Sequence, residues 1–216
     1  METKMNWTGK LLHYLEWGVR VAYLNVLWIA FTLLGLIVLG FMPATAAMFS
    51  VLRKWFRGEQ DIRLFSTYWQ YYKQEFLKIN GIGLTLLLIG AILYVDMFFL
   101  VSFSHWVSTI LLFILGVISF CYVIVLIHIF PVYVHFRLSF FHYFKYALMI
   151  GLYQPFRTFL LVIGTVLITY LLFSYPGTLL LFSGSSVSAY IMWLSLKGYD
   201  KIAHRYGKLL DNTKDE

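Results

Sequence analysis

Long apolar stretches alternate with short polar segments along the whole chain. No Asp, Glu, Lys or Arg occurs from Val21 to Leu52, from Met97 to Phe136 or from Thr158 to Leu196. A helix needs about 20 predominantly apolar residues to cross the hydrocarbon core of a bilayer. The pattern therefore predicts membrane-spanning helices. We place five of them, near residues 22–42, 81–101, 106–130, 158–175 and 178–196.

Two amphipathic segments lie beside these spans. In residues 6–20 and 65–76, apolar and aromatic side chains recur at helical spacing on one face, and polar side chains take the other. This pattern is typical of helices that lie in the membrane interface. The sequence thus predicts an all-α membrane protein, a single polytopic domain over residues 1–216 with interfacial helices. The last residues, 211–216, are predicted to be a disordered tail.

Pro43 decides the predicted topology of the first apolar stretch. Proline removes a backbone donor and disfavours helix at the residue before it, so the first span should end there. Five full spans then put the two termini on opposite sides of the membrane. The alternative is a re-entrant segment over residues 21–52, broken at Pro43, with both termini on one side. The helix after Pro43 would cover only about 13 Å before the polar section, too little for a second crossing, and five full spans are preferred.

The basic residues are concentrated in three sections, 53–80, 131–157 and 197–216, and the turns at 102–105 and 175–177 hold none. The positive-inside rule predicts that the basic sections and the C-terminus face the cytoplasm, with the turns outside. In the five-span arrangement the N-terminal segment is then outside. That segment disagrees with the rule because it contains three bases, Lys4, Lys10 and Arg20.

Composition narrows the partners that the chain could have. The chain is 61% hydrophobic and only 12% charged, with a formal net charge of +7, whereas soluble domains are about 25% charged. The bases lie in blocks between apolar spans, which indicates contact with anionic lipid headgroups of the bilayer rather than with nucleic acid. The single cysteine, Cys121, lies inside an apolar span and is predicted to pack as a small hydrophobic residue.

Asp96 is the one acidic residue inside a predicted span. Intramembrane acids usually face a bundle interior, a water-filled cavity or a partner. His105 follows just beyond the next turn, so the two could form a hydrogen bond or ion pair that serves an ion or proton relay. Otherwise Asp96 is a shallow structural acid that water can reach. The fifth span has a small polar patch, which could pack against a neighbouring helix or contact a substrate. It consists of Ser183, Ser185 and Ser186.

A basic and aromatic cluster marks the point where the first apolar stretch meets the polar section. We predict that it forms a cytoplasmic interface, either a membrane-surface anchor or a docking surface for a partner. Its residues are Arg53, Lys54, Trp55, Arg57, Tyr68, Trp69 and Tyr72. The sequence contains no arrangement of nucleophile and base and no phosphate-binding loop. It therefore predicts no enzymatic activity, no catalytic residue, no cofactor and no metal ion.

The N-terminal third also carries a recognisable set of residues. They are Trp17, Asn25, Trp28, Gly35, Gly40, Pro43-Ala44, Ala46-Ala47, Arg53, Trp55, Gly58-Glu59, Phe65 and Phe76. This set resembles the YesL family of bacterial integral membrane proteins, which is defined by sequence rather than by a known activity. The resemblance implies a multi-pass protein of the bacterial plasma membrane, often encoded near carbohydrate-uptake and polysaccharide-degradation functions. It supplies no catalytic residues.

Two functions remain open at the level of the sequence. The first is an accessory or interaction subunit that supports an ABC-type oligosaccharide (sugar) importer, as the resemblance and the basic, aromatic segments suggest. The chain lacks the cytoplasmic Glu-Ala-Ala…Gly motif of importer permeases, so it is not expected to be the permease. The second is an independent small-solute or ion-coupled transporter built on Asp96 and the polar patch of the fifth span.

Overall fold

A computed structural model describes residues 7–103 and 105–212, with side-chain environments for residues 15–103, 105–175 and 177–203. These residues form seven α-helices and no strand. They are α1 (Trp7–Leu34), α2 (Val38–Phe56), α3 (Leu64–Val101), α4 (Trp106–His135), α5 (Phe140–Tyr153), α6 (Pro155–Ser174) and α7 (Pro176–Asn212). Five helices, α1, α3, α4, α6 and α7, contain a segment long and apolar enough to cross a membrane. The predicted all-α membrane protein is confirmed.

The first apolar stretch forms a helical hairpin instead of a single span. The helix α1 ends at Leu34 and α2 begins at Val38, so the predicted span over residues 22–42 is interrupted in its second half. The break lies at residues 35–37, and Pro43 is a buried residue inside α2. This corrects both predicted arrangements of the stretch, because each of them placed the break at Pro43.

A neighbouring helix explains why Pro43 does not end α2. Proline at this position leaves the carbonyl of Leu39 without the amide donor that an uninterrupted helix would provide. The Nδ2 of Asn80, on α3, donates to that carbonyl oxygen at 2.9 Å. Proline is tolerated inside membrane helices where a neighbouring group satisfies the freed carbonyl in this way.

The turn of the hairpin is tight and strained. A Cβ placed on Gly35 would lie 2.2 Å from the Cα of Gly40, so the two backbones touch where the chain reverses. Leu36 and Ile37 both have positive φ, 57° and 66°. The amide of Val38 donates to the carbonyl of Leu36 at 2.8 Å, which makes a γ-turn centred on Ile37. Positive-φ γ-turns are rare and strained, and a β-branched residue at the centre increases the strain.

The helix α3 is continuous from Leu64 to Val101, about 57 Å at 1.5 Å per residue. The predicted interfacial segment 65–76 is its first part, and the segment 6–20 is likewise part of α1 from Trp7 onwards. The first half of α3 runs antiparallel to α2, and the Tyr68 hydroxyl donates to the carbonyl of Ala44 at 2.7 Å. At the tip of the hairpin, Ile37 and Val38 line a cavity together with Leu84 and Leu87 of α3.

The helix α2 is the most buried of the described helices, and α1, α3, α4 and α7 pack against it. The helix α4 returns along α3, where the Tyr122 hydroxyl donates to the carbonyl of Leu86 at 2.9 Å, and α5 packs against α4. A second hairpin, α6–α7, is closed near Tyr175, and α7 packs along α1 and α2. The other four predicted spans coincide with parts of α3, α4, α6 and α7. Residues 211 and 212 of the predicted tail belong to α7, and the rest of it lies outside the described residues.

Candidate functional site

The start of α1, the loop after α2 and the last part of α7 meet at one end of the bundle, which we call the basic end. There the Nη1 of Arg20 donates to the carbonyl of Gln60 at 3.3 Å, and the Nη2 of Arg57 lies 2.9 Å from Oδ1 of Asp200. Both members of this ion pair are largely exposed, so it contributes little stability. The contacts place Arg20, near the start of the apolar segment of α1, beside the basic loop instead of at the opposite end of the bundle.

The predicted cytoplasmic interface is divided between this surface and the core. Arg53 and Lys54 are half-buried and Arg57 is exposed, but Trp55, Tyr68 and Tyr72 are buried. The rings of Tyr68, Tyr72 and Trp69 all pack around Phe31 of α1, with centroid distances of 5.0, 5.0 and 5.4 Å. The aromatic part of the cluster therefore forms protein core, and the exposed surface consists of its basic side chains.

A buried amide joins the first and last helices. Asn25 of α1 has no solvent-exposed surface. Its Nδ2 donates to the carbonyl of Leu180 at 2.8 Å, and its Oδ1 accepts from the amides of Gly184 and Ser185 at 2.9 and 3.0 Å. Leu180 and Gly184 are four residues apart, so this carbonyl and the amide of Gly184 belong to the same turn of α7. The side chain of Asn25 bonds to both. We call these contacts the Asn25 node.

A tryptophan extends the Asn25 node to α2. A Cβ placed on Gly184 would lie 2.9 Å from Cε3 of Trp28, so only glycine lets the indole lie against α7. The Nε1 of Trp28 donates to Oγ1 of Thr45 at 3.0 Å, and Thr45 donates to the carbonyl of Phe41 at 2.7 Å. In the sequence, Asn25 and Trp28 stand out only as members of the residue set that carries the family resemblance. One feature of the sequence could have identified Asn25. It is an uncharged amide side chain within a predicted span, and a buried polar group needs a hydrogen-bond partner.

The serine patch of α7 lies against this node. Ser185 is fully buried, and its amide is bonded to Asn25, whereas Ser183 and Ser186 are half-buried. The position of Ser185 agrees with the packing interpretation of the patch.

Residues 84–101 of α3 and 106–121 of α4 form a hairpin that we call the upper hairpin. Asp96 lies in this hairpin. Its side chain is exposed, in a shallow cavity of about 250 Å³ between the two helices that is otherwise lined by apolar residues. Asp96 forms no hydrogen bond or ion pair with any described residue. The Nδ1 of His105 instead accepts from the amide of Val107 at 3.3 Å at the start of α4. The structure does not join Asp96 and His105.

The upper hairpin exposes apolar side chains around most of its circumference. Leu88, Ile92 and Phe98 on α3, and Phe113 and Phe120 on α4, are all more than half exposed. Beyond Leu87, which lines a cavity with the tip of the α1–α2 hairpin, α3 extends by about 21 Å of helix. Within the described ranges, no group of three His, Cys, Asp or Glu side chains could hold a metal ion.

Comparison with known proteins relates these features to other chains. Residues 21–97, which include the Asn25 side of the node, the α1–α2 hairpin and most of α3, match a family described as "Protein of unknown function, DUF624". The chain is similar to three uncharacterized proteins of Bacillus subtilis (strain 168). It is 41% identical to YteU over 83% of this chain and 81% of that protein. It is 36% identical to YesV over 85% of this chain and 88% of that protein. It is 34% identical to YesL over 92% of this chain and 93% of that protein. No solved structure matches the chain significantly.

Proposed function

We propose, from the premise that this chain belongs to the YesL-like DUF624 family, that it is an accessory subunit which docks onto another membrane protein through its upper hairpin. The observation that carries the proposal is the position of Asp96. A carboxylate on an apolar, membrane-facing surface is costly unless it is paired, and Asp96 has no partner among the described residues. A neighbouring helix with a basic or hydroxyl side chain would supply one.

The use of the other polar groups supports an accessory role over independent transport. Asn25 and Thr45 form hydrogen bonds between and within helices, as does the amide of Ser185, and these bonds hold the bundle together. A transporter built on Asp96 and the serine patch would need both to face one substrate path. Asp96 lies on the outer surface of α3, and the amide of Ser185 is engaged in the core. The transporter hypothesis therefore has less support.

The partner class that we propose is an ABC-type oligosaccharide importer. Its support is the resemblance to a family often encoded near carbohydrate-uptake functions, together with the missing permease motif in this chain. We also propose that the protein lies in the bacterial plasma membrane and that it has no enzymatic activity of its own.

Native pull-down tests the docking proposal. We expect mild-detergent purification of the tagged wild type to recover importer permease subunits, and Asp96→Lys to recover several-fold less, because it repels a basic partner and removes the acceptor. Asp61→Asn is the matched control, since Asp61 is also an exposed acid but lies in the loop at the basic end. Failure of the wild type to recover importer subunits would contradict the accessory role. Equal recovery by Asp96→Lys would exclude the upper hairpin as the docking surface.

We further propose that the basic end faces the cytoplasm and includes the start of α1, so both ends of the described chain lie on that side. The support is the contact of Arg20 with Gln60, which brings this base of the N-terminal segment to the other basic sections. This satisfies the positive-inside rule without the disagreement that the five-span arrangement required.

Cysteine labelling tests this orientation. In a Cys121→Ala background, we expect a membrane-impermeant maleimide to label Ser102→Cys in intact cells. Glu16→Cys and Gln60→Cys should be labelled only after permeabilisation, because both lie at the basic end. All three positions are exposed, so each can report. Labelling of Glu16→Cys from outside, with Gln60→Cys still protected, would restore the arrangement with the N-terminus outside.

A further inference from the structure

The junction of α5 and α6 forms a basic cavity with the last part of α7. The cavity has a volume of about 260 Å³ and is open to the surface. Among the residues whose side chains are described, two cations line it, Arg157 from the first turn of α6 and Lys201 from α7, and no acid does. Its other lining residues are Tyr153, Gln154, Pro155, Phe156 and Ile202.

Arg157 is held in place without using all of its donors. Its Nη1 is buried and has no hydrogen-bond partner. A Cβ placed on Gly198 of α7 would lie 2.9 Å from that nitrogen, so the missing side chain makes room for the guanidinium. Gln154 fixes the same corner, because its Nε2 donates to the carbonyl of Gly198 at 3.2 Å. Nη1 faces Gly198, which lines a smaller neighbouring cavity, whereas Arg157 also lines the open cavity, where its guanidinium suits an anion that would accept from it.

The backbone at the cavity favours an anion as well. Pro155 is the first residue of α6, so the amides of the following residues have no partner within the helix. Helix N-termini carry partial positive charge and bind phosphate and carboxylate groups. Among the described residues, Asp200, the acid next to Lys201 in the chain, is bonded to Arg57 and does not line the cavity.

We propose that this cavity binds the phosphate of an anionic phospholipid headgroup. Phosphate could also come from a free anion, but the rim of the cavity favours the lipid. Phe156 and Tyr153 are both at least half exposed beside the two cations, and aromatic side chains next to a basic pocket match the boundary between headgroup and acyl chain. The site lies on α5, α6 and α7, away from the upper hairpin, and does not depend on the docking proposal.

Native mass spectrometry of the purified full-length protein tests the site. The probes are short-chain phosphatidylglycerol, short-chain phosphatidylcholine and inorganic phosphate. We expect the wild type to bind phosphatidylglycerol about fivefold more tightly than phosphatidylcholine for each cation that contributes. Lys201→Gln should lose about fivefold of that preference, because one cation is removed from an exposed position that the fold does not need. Lys197→Gln, also on α7 but stacked on Trp193, should bind as the wild type does.

Gly198→Ala provides a second variant that keeps both charges. It should weaken phosphatidylglycerol binding by displacing the guanidinium of Arg157. Equal binding of the two lipids by the wild type, or an unchanged preference in Lys201→Gln, would overturn the proposal. Inorganic phosphate that binds as tightly as phosphatidylglycerol would overturn the assignment to lipid and identify a site for a free anion.

Discussion

Gly40→Ala is expected to destabilise the α1–α2 hairpin by about 3 kcal/mol, the upper end of the usual cost of overpacking. A Cβ at this position would lie 2.3 Å from the carbonyl oxygen of Thr32, 2.8 Å from that of Phe31 and 2.9 Å from the Cα of Gly35. All three are backbone atoms at or beside a tight turn, so no side-chain rotation can relieve the overlap. The thermal unfolding midpoint in one detergent measures the effect.

Gly116→Ala is the matched control for that experiment. Gly116 lies in α4, and a Cβ there would meet no atom within 4 Å. Alanine has the higher helix propensity, so this variant should unfold at the wild-type temperature or slightly above it. If Gly40→Ala unfolds together with Gly116→Ala, the backbones of Gly35 and Gly40 are not in contact and the hairpin turn is not as described.

Asn25→Asp is expected to lower the free energy of unfolding by about 2–3 kcal/mol. The carboxylate can accept from the amides of Gly184 and Ser185, but it cannot donate to the carbonyl of Leu180. Two acceptors then face each other in a buried site, and a charge is buried with them. The loss should shrink as the pH is lowered, because a protonated carboxyl can donate as the amide does.

Asn25→Leu separates this effect from simple packing. Leucine removes both the donor and the acceptor of the side chain. The amide of Gly184 can then bond to the carbonyl of Leu180, and the amide of Ser185 to that of Leu181, within α7, so none of the three partners of Asn25 is left unsatisfied. We expect a loss of about 1 kcal/mol, smaller than for Asn25→Asp. A larger loss for Asn25→Leu, measured by unfolding in the same detergent, would show that the bonds accepted from Gly184 and Ser185, which Asp keeps, outweigh the donation to Leu180.

The spans could be predicted from the sequence because lipid-facing composition is a local property. The upper parts of α3 and α4, and most of α6, are apolar on nearly every face, and a run of apolar residues identifies such helices directly. The α1–α2 hairpin could not be found in the same way. Proline ends a helix when the carbonyl that it frees has no other donor. Here Asn80, on another helix, donates to the freed carbonyl of Leu39, so α2 continues through Pro43.

The candidate site was harder to predict than the fold, for two physical reasons. The spacing that puts Tyr68, Trp69 and Tyr72 on one side of α3 suits a membrane interface and a protein core equally, and the choice depends on whether another helix lies there. Here Phe31 of α1 occupies that side. The role of Asn25 depends on α7, from which it is separated by about three quarters of the chain, so no local pattern could identify its partner.

The same separation has a consequence for biosynthesis. The side chain of Asn25 bonds to residues 155, 159 and 160 positions later in the chain. At a synthesis rate of about 5–20 residues per second, α7 emerges on the order of ten seconds or more after α1. During that interval the side chain of Asn25 lacks the partners that α7 provides. Of the described helices, the first is therefore completed by the last, and a chain that stops before α7 leaves the side chain of Asn25 without these three bonds.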